Sequence, residues 1–461
     1  MYRNNALAII LFFVSHGITA QNSETDALFI SDIHRTALTN NFAYEQLEYL
    51  TKSIGPRFSG TPQASAAVEY TFQLMNDMGM DTVWLQPCEV PRWKRGEPSK
   101  VKIVGSQSVG TVVLPSIALG NSIGTQSLGM TAEIVEVQSL DEVDQLAESL
   151  NGKIVFYNRP ADPGQYRTFN AYGGAVDQRV FGASRAAKYG SIGVVVRSVT
   201  PSIDNIPHTG SMVYTDTTQK IPAIAISTKA ADFLGQLVKK EKVRLNIRSG
   251  GEILSPVISY NVIGEIRGSV HPDEILLVGG HLDSWDVGEG AHDDGSGCVH
   301  ALDVIHLLKE LDYQPKRTIR CVMFMNEENG LKGALAYQEE SDKKGEFHMA
   351  AIESDSGGFT PRSFSCDGDT SIFQARFQKM NTWAPLLEPY YIIFEKGGSG
   401  ADINPLKGQM GMLMGLRPDS QRYFDYHHTA TDTFDKVNCR ELELGSAAMT
   451  SLVYLLDKYG L

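Results

Sequence analysis

The run Gly279-Gly-His-Leu-Asp-Ser-Trp-Asp-Val-Gly-Glu-Gly-Ala-His-Asp-Asp-Gly-Ser-Gly297 crowds imidazole and carboxylate side chains into a glycine-rich stretch. Before it stands Glu274-Ile-Leu-Leu-Val278, short and branched enough for a buried strand. After it, Val299, Leu302, Ile305 and Leu308 recur at helical spacing. His281, Asp283, Asp293 and Asp294 therefore fall in a loop between a strand and a helix, the place where open α/β sheets bind ligands. One imidazole and several carboxylates packed together are costly to bury unless a cation neutralises them.

Other candidate strands also end in acidic or imidazole residues. Thr318–Met325 leads into Asn326-Glu-Glu-Asn-Gly330, and His348–Ile352 leads into Glu353-Ser-Asp-Ser-Gly357. Tyr426-His-His-Thr-Ala-Thr-Asp432 lies in a loop before the last helix. Singly these signals are weak: an isolated histidine is more often a hydrogen-bonded structural residue, and an adjacent glutamate pair is usually solvated surface. A parallel sheet, however, brings consecutive strand ends to one rim, where uncompensated carboxylates repel one another. Two divalent cations would satisfy them, and nitrogen and oxygen ligands without thiolate suit zinc.

The elements that must position these loops alternate. Strands are expected over 274–279, 318–325, 348–352, 390–394 and 411–415, with helices over 296–311, 331–341, 371–384 and 440–458. That pattern predicts an α/β fold, a mostly parallel mixed sheet sandwiched by helices. Upstream, helices over 22–50 and 64–78 precede a strand at Thr82–Gln86. From about Val101 to Ile247 the character changes to strand-like pieces (111–114, 132–137, 153–157, 192–196) with one helix over 181–189 before Gly190. This reads as a separate β-rich domain inserted into a larger one. The expected organisation is 22–98 and 253–461 for the catalytic domain, with 99–252 as the insertion.

Arg3, the apolar run Ala6–Val14 and Ala20 before Gln21 describe a cleavable export signal over residues 1–20, too short to span a bilayer. A secreted or periplasmic mature chain is the expectation. The formal charge of −13 argues against nucleic acid and anionic membrane surfaces as partners. Five scattered cysteines are too few for a disulfide framework; Cys298 and Cys321 read as core, while Cys88 and Cys366 stay open to pairing.

The motifs then become specific. Gly279–Gly297, Asn326–Gly330, Glu353-Ser-Asp355 and His427–Asp432 closely resemble the M28 family of two-zinc metallopeptidases. The likeness extends to Gly55-Pro-Arg-Phe-Ser-Gly60, Arg197-Ser-Val199, Pro207-His-Thr-Gly210 and Lys220-Ile-Pro-Ala223, and so covers nearly all of the chain after residue 20. It implies that His281 and Asp355 bind one zinc, that Glu328 and His428 bind the other, and that Asp293 bridges them. It implies Glu327 as general base, Asp283 as the residue orienting His281, and a cis peptide between Asp293 and Asp294. It further implies a protease-associated-like insertion and a homodimer.

Several neighbours have two readings. His427 has the same chemistry as His428 and either could be the ligand. Ser399 and Asp402, in Gly397-Gly-Ser-Gly-Ala-Asp402, resemble the family's substrate-side loop, though a flexible turn fits equally well. His427 joins them as a substrate-contact candidate. His208 reaches either the active site or a subunit contact, and His292, Trp285 and Tyr426 read as packing residues. The function expected is hydrolysis of dipeptides or short peptides by metal-activated water. The alternatives are an aminopeptidase on longer peptides and a non-catalytic binding protein on the same fold.

Overall fold

The computed structural model describes residues 24–215 and 219–461. The export signal expected over residues 1–20 lies outside the described residues. No helix among the described residues is long and apolar enough to cross a membrane.

Helices over 24–40 and Phe42–Glu48 lead to a helix at Pro62–Asp77. Thr61 caps that helix by accepting the Ala64 N–H, and Pro62 occupies its first turn. The long strand β1 (Thr82–Lys94) follows. Then come β2 (Lys100–Ser106), β3 (Gly110–Leu114), β4 (Ser116–Ala118), β5 (Met130–Val137), β6 (Ile154–Tyr157), β7 (Gly193–Arg197), β8 (Ala223–Ile226) and β9 (Arg244–Arg248). These eight form one sheet in the order β3-β2-β9-β5-β6-β7-β8-β4, with β5, β6, β7 and β8 parallel.

β10 (Glu252–Ile266) returns antiparallel to β1 and begins the rest of the other sheet. β11 (His271–His281), β12 (Arg317–Phe324), β13 (Phe347–Glu353), β14 (Pro361–Gly368), β15 (Ile393–Lys396) and β16 (Met412–Pro418) complete it in the order β1-β10-β12-β11-β13-β16-β14-β15. Its centre, β12-β11-β13-β16, is parallel. Leu276 and Val278 of β11 pack on one face against Cys298, Leu302 and Ile305 of the helix Ser296–Glu310. Leu277 packs on the other face with Ala334 and Tyr337 of the helix Lys332–Lys344. Cover on both faces is why this strand reads as an unbroken apolar run. Each such leucine contributes about 2 kcal/mol by burial.

Two expectations are corrected. The inserted segment carries an eight-stranded sheet but not the single helix expected: helices at Leu140–Leu146, Thr168–Gly173, Val176–Ala187 and Thr228–Val238 interleave with its strands. The strand expected over 390–394 is instead a 3-10 turn at Glu388–Tyr390 around Pro389, with Tyr391 at φ 59°, and pairing begins only at Ile393. All five cysteines are free; Cys88 and Cys366 are buried in the same core as Cys298 and Cys321.

Candidate metal centre

The parallel centre of the sheet delivers its chemistry at one rim. His281 is the last residue of β11, Glu327 and Glu328 follow β12, Asp355 follows β13, and His428 lies in the loop after β16. Asp293 sits at the entry to the helix Ser296–Glu310, joined to Asp294 by a cis peptide. The approach of strand to helix there is close. A Cβ at Gly280 would lie 2.6 Å from Asp294 Oδ2 and 2.8 Å from the Gly297 carbonyl carbon.

Asp293 is the hub. His281 Nε2 lies 3.3 Å from Asp293 Oδ1 and 3.7 Å from Asp355 Oδ1. On the other side His428 Nε2 lies 3.3 Å from Asp293 Oδ2 and 3.2 Å from Glu328 Oε2. His427 Nε2 is 3.7 Å from Asp293 Oδ2, with its ring stacked on that of His428 at 3.5 Å between centroids. His281 Nε2, Asp293 Oδ2 and Glu328 Oε1 are buried with no hydrogen-bond partner. Desolvation pushes the Glu328 carboxyl well up, with Asp293 adding to it. Burial, followed by His427 and Arg179, holds His428 well below the ordinary imidazole value, which leaves Nε2 free to act as a ligand. The unpaired atoms of His281, Asp293 and Glu328, with Asp355 and His428 brought in by two further loops, suit a bound metal cation.

The supporting residues are equally specific. Asp283 Oδ1 accepts the backbone N–H groups of Asn326 (2.6 Å) and Glu327 (3.0 Å), and its Oδ2 accepts the Ser59 hydroxyl. The Asp283 backbone carbonyl, 2.9 Å away, is the partner of His281 Nδ1, while the carboxylate is 3.9 Å away. Asp283 thus holds the histidine through its main chain and the Glu327 turn through its side chain. Asp432 accepts the N–H groups of His292 and Asp293. The fully buried Arg57 donates to the carbonyls of Leu282, Glu289 and Gly290, tying together both ends of the glycine-rich loop.

Glu327 is half-buried beside the cluster; desolvation pushes it up to about 8, with Asp355, Asp293 and Asp283 adding. Ser399 and Asp402 lie in the loop between β15 and β16. Glu353 accepts the N–H groups of Ala401 and Ile403, and Arg417 donates to the Gly398 and Ser399 carbonyls. The Ser399 hydroxyl and both Asp402 oxygens are buried without partners. A cavity of about 560 Å³ opens beside Ser356, lined also by Phe169, Lys396 and Arg417. His292 stacks between Phe359 and Tyr426, while Trp285 stacks on Phe58 and meets the His428 ring edge-on.

The residue model of peptidase family M28 matches residues 261–453. Carboxypeptidase Q of Mus musculus is 33% identical over 420 residues, covering 90% of this chain and 86% of that protein. The chain belongs to peptidase family M28. A solved M28 peptidase precursor from Shewanella amazonensis SB2B is 33% identical, with a TM-score of 0.87 over 94% of this chain and 97% of that one. The zinc aminopeptidase BSAP of Bacillus subtilis shares the fold at 18% identity, with a TM-score of 0.63 over 90% of this chain and 94% of that one. The chain is accordingly a metallopeptidase of mixed α/β fold.

Arg57, Glu353, Arg417 and Asp432 stood inside or near quoted motifs without an assigned role. Arg179, whose Nη1 lies 3.5 Å from His428 Nδ1, carried no signal in its own neighbourhood. It comes from the segment between β1 and β10, far away in the chain.

Proposed function

We propose that this peptidase is a di-zinc exopeptidase releasing amino acids from dipeptides or short peptides. The observation that carries the reading is the set of orphaned atoms around Asp293: His281 Nε2, Glu328 Oε1 and Asp293 Oδ2. His281 and Asp355 would hold one zinc and Glu328 and His428 the other, with Asp293 within reach of both pairs. When bound, the zinc pair supplies Lewis acidity that polarises the scissile carbonyl and acidifies the attacking water. Glu327 takes the proton from that water and returns it to the departing amine. Asp283 keeps the Glu327 backbone fixed through the two N–H groups it accepts. His281 keeps its proton on Nδ1, toward the Asp283 carbonyl, so that Nε2 faces the metal.

The carboxypeptidase Q relatives support small substrates with free ends; Aminopeptidase YwaD of Bacillus subtilis, 25% identical over 72% of this chain, keeps longer peptides as the alternative. Residues 99–252 are read as a protease-associated-like module. The pattern over residues 1–20 supports export to the periplasm or medium. The test is zinc content together with a panel of dipeptides and of longer and N-blocked peptides, on the native chain and on Glu327→Ala. Two zinc ions per chain in both proteins, with hydrolysis lost only in the variant, is the expected result. No zinc and no cleavage of any member would leave a binding protein on this fold instead.

A further inference from the structure

The motif Pro207-His-Thr-Gly210 has no part in the proposed chemistry, yet it ends against the metal rim. His208 is 2% exposed, and its Nδ1 lies 2.8 Å from the His427 carbonyl. A carbonyl only accepts, so Nδ1 carries the proton. Thr209 donates its backbone N–H to the His428 carbonyl at 2.9 Å, while its own hydroxyl donates to Ala118 O. Gly210, at φ +128°, leaves the space a Cβ would fill to the Arg179 guanidinium, which approaches His428 Nδ1.

His428 itself has φ 61°, a left-handed conformation that residues other than glycine seldom adopt. The two peptide planes that define its φ and ψ carry the carbonyls of His427 and His428. Those are the two carbonyls that His208 and Thr209 hold. Both backbone torsions of a metal-ligand candidate are therefore pinned by a turn that belongs to the other sheet.

We infer that the Pro207–Gly210 turn is a positioning clamp for the Glu328–His428 metal site, so that affinity for one of the two cations is set by the segment between β1 and β10. This rests on the two-zinc reading. Among the described residues the hydrogen bonds from this turn to the rim go to the His427 and His428 carbonyls rather than to Asp355 or His281, so the Asp355–His281 site keeps its affinity when the clamp is broken.

The experiment is zinc titration against a chromophoric chelator, with the unfolding midpoint of the zinc-free protein measured alongside. The proteins are the full chain, His208→Leu, His208→Asn and Thr168→Val. Leucine keeps the bulk and removes the donor, whereas asparagine replaces Nδ1 with an amide N–H. Thr168 donates to Ser420 O in the same interface without touching His428, and serves as the control. Expected in His208→Leu is one zinc held as in the native chain and the second weakened by about 10- to 100-fold. His208→Asn recovers most of that loss, Thr168→Val shows none, and the zinc-free midpoints stay together. Gly210→Ala, which displaces Arg179, is read in the same way should His208→Leu not fold. Two zinc ions bound as tightly in His208→Leu as in the native chain would overturn the clamp and leave the peptidase reading intact. So would equal weakening of both sites with a lowered zinc-free midpoint. A native chain that binds no zinc would overturn both.

Discussion

Two clusters of buried carboxyl groups flank the helix Ser296–Glu310, and they resolve the same electrostatic problem in different ways. At the rim, Asp293, Glu328 and Asp355 meet two imidazoles from four loops, with unpartnered atoms on both acid and imidazole. On the same helix further along, Asp303 faces Glu443 of the helix Cys439–Tyr459, and Glu443 Oε2 and Asp303 Oδ2 lack any other donor. There one proton, on the Glu443 carboxyl that burial and Asp303 push up, is enough. The remaining oxygens are taken by the Tyr44 N–H at 3.0 Å and by His306 Nδ1 at 3.1 Å. One proton cannot bridge the rim's several groups, which come together from both sides of Asp293. What separates a metal centre from a proton-sharing pair is therefore the number of independent chain segments that converge and the presence of unpaired imidazole nitrogen.

The contrast is broken most severely at its hub. Asp293→Ala should lose both zinc ions and all peptide hydrolysis, whereas Asp303→Asn should keep both; metal analysis and a dipeptide assay on the two purified variants decide this. Zinc retained at two per chain in Asp293→Ala would remove the rim's special status. Next in size, Glu327→Gln should lower kcat by about 10²- to 10⁴-fold with zinc content unchanged, as expected for a proton carrier that is not a ligand. Loss of zinc in that variant would instead make Glu327 part of the metal shell.

Metal removal sharpens the comparison through stability. With free zinc about a hundredfold above its dissociation constant, each site should stabilise the fold by about 2.7 kcal/mol. Chelation should lower the unfolding midpoint of the native chain and of Glu443→Gln alike, and leave Asp293→Ala unmoved. A chelator effect in Asp293→Ala as large as in the native chain would place the stabilising metal elsewhere.

The convergence at the rim was legible because its candidate residues follow strands whose apolar runs are unmistakable: Ile275–Val278, Thr318–Phe324 and Met349–Ile352 all lie in strands of the parallel centre. The long antiparallel pair β1 and β10 was only partly legible. β10 is exposed or half-buried over residues 252–258 and is continuously buried only from Asn261 to Gly264. The helix Leu140–Leu146 had a readable signal that went unused. Ser139 accepts the Glu142 N–H while Glu142 accepts the Gln138 N–H, and the Ser-x-x-Glu spacing announces this kind of start. Tyr390–Phe394 misled in the opposite direction, since an apolar run at a sheet edge need not be buried: Tyr391 is 80% and Ile393 60% exposed. Arg57, Asp432 and Arg179 act on backbone groups or rings far away in sequence, and only the folded chain brings those together.

The smallest effect concerns pH and tests the proton-sharing half of the comparison. Desolvation, followed by Asp303, pushes the Glu443 carboxyl up to about 8 from an ordinary value of 4.5. The folded state thus binds this proton more tightly than the unfolded chain does. Its contribution is complete below the unfolded value and is lost as pH rises through about 8. Above that, the charged Glu443 faces Asp303 with Glu45 adding to the repulsion, while the Tyr44 N–H and His306 Nδ1 remain hydrogen-bond partners of the pair. Glu443→Gln keeps the acceptor for Tyr44 and turns an amide N–H toward Asp303, imitating the protonated acid at every pH. The native chain should lose stability between pH about 6 and about 9, and the variant should lose less. Denaturant midpoints for the chelated proteins at the two pH values provide the measurement, with chelation removing the rim's own pH dependence through its metals. Parallel pH profiles for the two proteins would show that Glu443 and Asp303 do not share a proton, and the distinction between the clusters would then have to rest on the imidazoles alone.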